Sequence, residues 1–173
     1  MVVTVLVFVL QRSPWGSHAS MLLIASPGAP IVTQWAYQPW RLLTPMFLHF
    51  SLLHIAFNLY WLYYLGSLIE VKESRWFFIL LIIGSDLFSN ILQLLFVSPF
   101  FGGLSGIIYA LFGYLWVSSR FYPWSGYYVR ADIAFWMLGW LVLGFVGVLG
   151  PVANFGHLGG LLAGMLAAKL KRR

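Results

Sequence analysis

Runs of apolar residues, each interrupted by a few polar positions, divide the chain into six segments. Val2 to Leu10 is apolar and rich in β-branched residues. Even with Gln11 it falls short of the roughly 20 residues a helix needs to span a hydrocarbon core, so the first span is expected to be truncated on its N-terminal side. Further apolar helices are expected over about Ser51 to Leu68, Trp76 to Val97, Ser105 to Val117, Ile133 to Val148 and Val152 to Leu170. The Gly150-Pro151 pair breaks the chain between the last two. Arg12 to Met46 is long and mixed, with several prolines, Gly16, Gly28 and the rings of Trp15, Trp35, Tyr37 and Trp40. Its backbone cannot cross lipid unpaired, but it suits the membrane interface, where amphipathic rings prefer to sit.

The polar positions inside these segments are patterned. Ser85, Asp86, Ser89, Asn90 and Gln93 recur at spacings of three and four, which puts them along one helical face. Polar groups in hydrocarbon are costly, so this stripe is expected to face other helices. Gly160 and Gly164, one turn apart, offer a smooth strip for close packing, most naturally against the fourth helix.

Composition turns the pattern into a membrane protein. Over 173 residues, 61% are hydrophobic and 8% charged, and the mean hydropathy is +0.88. This excludes an ordinary soluble fold and fits one all-α transmembrane domain over residues 1–173. With no cysteine there is no disulfide, thiolate metal site or Cys nucleophile. The net charge of +6 is read against the helices, not as a nucleic-acid surface. Lys72, Arg75, Arg120, Arg130, Lys169, Lys171, Arg172 and Arg173 fall on one side of a six-span arrangement, and only Arg12 and Arg41 on the other. That bias places both termini in the cytoplasm and the long first loop outside. The beginnings of the second, fourth and sixth helices then share one depth.

That depth holds the candidate chemistry. Ser105 follows Gly102 and Gly103 at the first turn of the fourth helix, where it is either a simple N-cap or a nucleophile. His157, at the start of the sixth helix, is the candidate base. Tyr109, one turn after Ser105, is placed to stack on the imidazole in lieu of an orienting carboxylate. His54 and Asn58, four apart, are candidate donors to an oxyanion together with the Ser105 amide. Glu70, Glu73, Asp86 and Asp132 fall at other depths, which favours a dyad over a triad. His49 and His54 are five apart and so expected on different faces; without HExxH or an acidic ligand they do not make a metal site, and no cofactor is called for. Asp86 keeps a proton-coupled transporter open as a rival class.

These residues resemble the rhomboid intramembrane serine proteases, most closely their bacterial GlpG-type branch. Trp40-Arg41 resembles the family's first-loop motif, and His49 to Asn58 its HxxxxHxxxN segment. Gly103-Leu104-Ser105-Gly106 matches GxSG, and His157 to Gly164, including Gly160, matches HxxGxxxG. The resemblance implies a six-helix bundle with a short fourth helix beneath a cavity open to the outside. It implies Ser105 as nucleophile, His157 as general base, His54, Asn58 and the Ser105 amide as oxyanion donors, and Tyr109 as the ring under His157. Glu70 would be a structural acid at the cytoplasmic end of the second helix. The activity implied is cleavage of single-span transmembrane proteins near the outer surface of the bacterial inner membrane through an acyl-enzyme, with lipid as the other partner. A non-catalytic rhomboid-like client-binding protein is the alternative; Asp86 departs from the family's pattern.

Overall fold

The computed structural model describes residues 1–25 and 30–172, without the side chains of residues 31, 34 and 35. Gly28, Arg173 and the Trp35 side chain therefore lie outside the described residues. Among these the secondary structure is helical without strands: α1 (Val2–Leu10), α2 (Gly16–Leu23), α3 (Ile31–Tyr37), α4 (Leu52–Glu70), α5 (Arg75–Phe96), α6 (Ser105–Phe121), α7 (Ala131–Phe145) and α8 (Asn154–Arg172). Short 3₁₀ turns at Pro39–Leu42, Thr44–Phe47 and Pro123–Ser125 join them. By length and composition α4 and α5 can each cross a membrane, and α7 is a shorter apolar helix.

α6 is the axis of the fold, buried almost without interruption from Gly106 to Ser118. α8 lies along it, and the contact depends on missing side chains. A Cβ on Gly160 would land on the Gly106 carbonyl, and one on Gly164 on the Ala110 carbonyl. With hydrogen at these positions the two backbones touch and α6 and α8 run in parallel, as the Gly160/Gly164 strip predicts. α5 packs antiparallel on α8, and α4 packs on α6 in the same direction as it. The polar stripe of α5 is buried as expected. Asn90 Nδ2 donates to the Leu42 carbonyl at 2.8 Å and to Asp86 Oδ2 at 3.1 Å, so Asp86 sits in a local tie to the first loop.

Serine hydroxyls start two helices. Ser51 Oγ accepts from the His54 N–H at 3.1 Å and Ser74 Oγ from the Phe77 N–H at 3.3 Å. The first loop carries more structure than its composition predicts. α2 ends on carbonyls that Arg41 and Thr44 satisfy from a distance: the Arg41 guanidinium donates to Met21 O at 2.5 Å and Ile24 O at 2.7 Å, and Thr44 Oγ1 to Leu23 O at 2.7 Å. Gln11, at the end of α1, accepts the His49 N–H at 3.0 Å.

The opposite end of the bundle is closed by Glu73, in the turn between α4 and α5. Its carboxylate accepts from Tyr114 Oη at 2.7 Å and Tyr127 Oη at 3.0 Å, and pairs with Arg172 and, at 3.8 Å, Lys171. Burial works to raise this carboxyl, but the two phenols and two cations outweigh it and hold it below the usual carboxylate range. Glu70, the acid implied by the family resemblance, is exposed and takes no part in this network. The turn after α4 aims the acid three residues later at α6 and α8.

Candidate active site

The glycine turn before α6 is built on close backbone contact. The Gly103 N–H donates to the Pro45 carbonyl at 3.0 Å, and a Cβ on Gly102 would sit 2.7 Å from Leu48 Cβ. Gly103 has φ +116°, a conformation that strongly favours glycine. This turn delivers Ser105 as the first residue of α6, with Leu104 at the N-cap and no side-chain cap. The Ser105 hydroxyl is spent elsewhere: Oγ lies 2.7 Å from His157 Nε2. The capping alternative is thereby set aside. Both residues are half-buried.

His157 is fixed from three directions. Its own helix holds the backbone. The Tyr109 ring stacks on the imidazole with centroids 4.9 Å apart and planes 28° from parallel, while the Tyr109 hydroxyl donates to Met137 O of α7 at 3.0 Å. The third support escaped the sequence reading. Ser89 Oγ donates to the Gly156 carbonyl at 2.7 Å and Gln93 Oε1 accepts the Gly156 N–H at 3.1 Å, so α5 grips the backbone on both sides of Gly156, the residue before His157. The stripe on α5 was visible as a pattern, but nothing local in sequence ties it to Gly156.

His54 and Asn58 flank the same turn. A Cβ on Gly103 would be 2.8 Å from His54 Nε2 and 3.5 Å from Asn58 Nδ2. Asn58 Nδ2 also donates to the His54 carbonyl at 2.9 Å, which orients the amide and leaves its second hydrogen unused by that bond. His49 is brought in too: its ring centroid is 4.8 Å from that of His54. The expectation of different faces presumed one helix through both, whereas α4 starts only at Leu52. Burial pushes the His49 imidazole down to about 4, so it is neutral. Among the described residues no three His, Cys, Asp or Glu side chains group to hold a metal ion.

Trp40 and Arg41 do not join the cluster: Arg41 straps α2, and Trp40 is half exposed. Gly160 and Gly164 act through the α6–α8 contact. Among the described residues no carboxylate bonds to His157. Asp132 pairs with Arg130 at 2.7 Å on an exposed surface, and Asp86 and Glu73 are engaged as described. Chemically, the cluster joins a hydroxyl to an imidazole that can take its proton, beside side-chain donors grouped around a glycine turn.

Across known proteins, a family model described as "Rhomboid domain" matches residues 36–173. The chain belongs to the rhomboid family. It is 37% identical over 169 residues to "Rhomboid protease GlpG" of Salmonella choleraesuis (strain SC-B67), covering 97% of this chain and 60% of that protein. A protein of the same name from Klebsiella pneumoniae subsp. pneumoniae is 36% identical over the same length and coverage. The chain thus spans about 60% of the length of these curated relatives.

Proposed function

We propose that this rhomboid chain is an intramembrane serine endopeptidase that cuts single-span transmembrane proteins near the outer surface of a bacterial inner membrane. The observation that carries the reading is the 2.7 Å contact between Ser105 Oγ and His157 Nε2. It joins helices whose starts are far apart in sequence and leaves the helix N-terminus without its usual cap. In this reading His157 takes the Ser105 proton as the hydroxyl attacks a substrate carbonyl. The negative charge that develops on the carbonyl oxygen is met by His54, Asn58 and the Ser105 N–H. The proton passes to the leaving amine, an acyl-enzyme remains on Ser105, and water activated by the same imidazole releases it. Tyr109 and the Ser89–Gln93 grip on Gly156 hold the base in place of a carboxylate. The name borne by the GlpG relatives, rhomboid protease, supports the same activity. Six spans, with both termini cytoplasmic, accommodate the helices and the bias of the basic residues.

The test is cleavage by the purified chain, reconstituted in lipid with a panel of tagged single-span proteins. The parent should release fragments cut near one membrane boundary, and Ser105→Ala should release none. Uncut but tightly bound clients would instead favour a non-catalytic client-binding role.

A further inference from the structure

Far from Ser105, the ends of α6 and α8 leave an open groove of about 450 Å³ lined by Val117, Phe121, Tyr122, Met165, Leu166 and Lys169. Five of the six are aliphatic, thioether or aromatic, and the sixth is a cation. Among the described residues Lys169 makes no hydrogen bond or ion pair, and neither does Arg120, next in the chain to Phe121. Their neighbours are used differently. Arg172 and Lys171 pair with Glu73, Arg130 pairs with Asp132, and Lys72 donates to the Ser125 and Gly126 carbonyls. The free cations of this end of the bundle thus include the one lining its apolar groove.

We infer that this groove binds one anionic glycerophospholipid, an acyl chain lying along Val117, Phe121, Met165 and Leu166 and the phosphate meeting Lys169, with Arg120 beside it. The chemistry matches on both counts. The groove walls offer hydrocarbon to hydrocarbon, and the lysine stem runs with them while its ammonium reaches the headgroup level. Tyr122, with its ring partner Trp124 at 5.3 Å, marks that level, where amphipathic rings collect. A zwitterionic headgroup offers Lys169 a phosphate already balanced by its own cation, whereas an anionic one offers a net negative charge for Lys169 to neutralise. The inference rests on the chain being embedded in a membrane and is independent of whether it cleaves anything.

Native mass spectrometry of the full chain in a non-ionic detergent, supplied with dioleoyl-phosphatidylglycerol or dioleoyl-phosphatidylcholine, tests it. One phosphatidylglycerol should remain bound at activation energies that strip phosphatidylcholine. A basic side chain near an anionic headgroup favours binding about fivefold, so Lys169→Glu should cost at least that factor in phosphatidylglycerol retention. Leu166→Trp, at an exposed position where a larger ring fills the groove, should lose retained lipid of both kinds. Arg75→Glu removes an equally free cation outside the groove lining and should change nothing. Thermal unfolding of each variant shows whether the fold is intact, and a variant that unfolds early is replaced by the milder Lys169→Gln, for which loss of the phosphatidylglycerol preference is expected. Equal retention of the two lipids by the parent, or equal loss from Lys169→Glu and Arg75→Glu, overturns the inference in favour of a diffuse basic surface.

Discussion

Gly160→Ala adds a single methyl group at one of the tightest points of the fold. The new Cβ would occupy the position of the Gly106 carbonyl oxygen, with the Gly106 Cα only 3.1 Å away. Both groups are rigid backbone, so no side chain can swing aside and α6 and α8 must separate. Overpacking of this kind costs about 1–3 kcal/mol. The larger effect is expected in rate, because Gly106 follows Ser105 directly and Gly160 lies one turn beyond His157. Separation by roughly 1 Å breaks the 2.7 Å contact between them, and a misplacement of that size can cost on the order of 100-fold. Gly84→Ala and Gly139→Ala are the controls. Nothing lies within 4 Å of a Cβ at either, and replacing a helical glycine without a clash stabilises by about 0.4–1 kcal/mol. Thermal unfolding in detergent, followed by tryptophan fluorescence, and turnover of a single-span substrate should separate the three. If Gly160→Ala unfolds and turns over like Gly84→Ala, backbone contact between α6 and α8 does not hold the serine against the histidine.

Three other predictions test separate parts of the account. Asn58→Ala or His54→Ala should lower turnover by up to about 100-fold to 1000-fold with little change in apparent affinity; an effect on affinity alone would remove the oxyanion role. Glu73→Gln leaves Arg172 and Lys171 without their counter-charge and should cost about 1–3 kcal/mol, between an exposed and a fully buried pair. Because the Glu73 carboxyl is held below its ordinary range in the folded state, its contribution is complete above that range and lost as the pH falls through the folded value. The parent's unfolding temperature should therefore drop on acidification more than that of Glu73→Gln, and parallel curves would contradict the assignment. A reporter fused to the C-terminus should read as cytoplasmic and one inserted near Gly28 as external; an external C-terminus would undo the six-span count.

The helices, the buried stripe and the glycine strip were legible because each is periodic. The spacing of Ser85, Asp86, Ser89, Asn90 and Gln93 marks an inward face whatever its partner, and Gly160 with Gly164 marks a close contact. Boundaries moved where polar residues serve as ends of a different kind. α6 continues past Val117 to Phe121 because Ser118 and Ser119 bond the following loop: the Ser118 carbonyl accepts from Ser125 Oγ at 3.2 Å and Ser119 Oγ from the Val129 N–H at 3.1 Å. What could not be read are partnerships across the chain. Ser89 and Gln93 find Gly156, and Arg41 finds Met21 and Ile24, through tertiary geometry without local signature. The helices in the first loop were hidden for the same reason, since α2 is finished by side chains that arrive from Arg41 and Thr44. The choice between Glu70 and Glu73 turned on the direction of one turn after α4, which the sequence pattern does not specify.

The claim on which the rest depends is that Ser105 and His157 act as one unit. Its most direct measurement is covalent labelling of the purified, folded protein by a fluorophosphonate, which needs the serine oxygen as nucleophile and the imidazole to take its proton. The parent should be labelled at Ser105 with the stoichiometry of one site, and labelling should fall on acidification as the imidazole is protonated. Ser105→Ala and His157→Ala should each abolish labelling, and the double variant should be no worse than either alone. Undiminished labelling of Ser105 in folded His157→Ala would contradict the account.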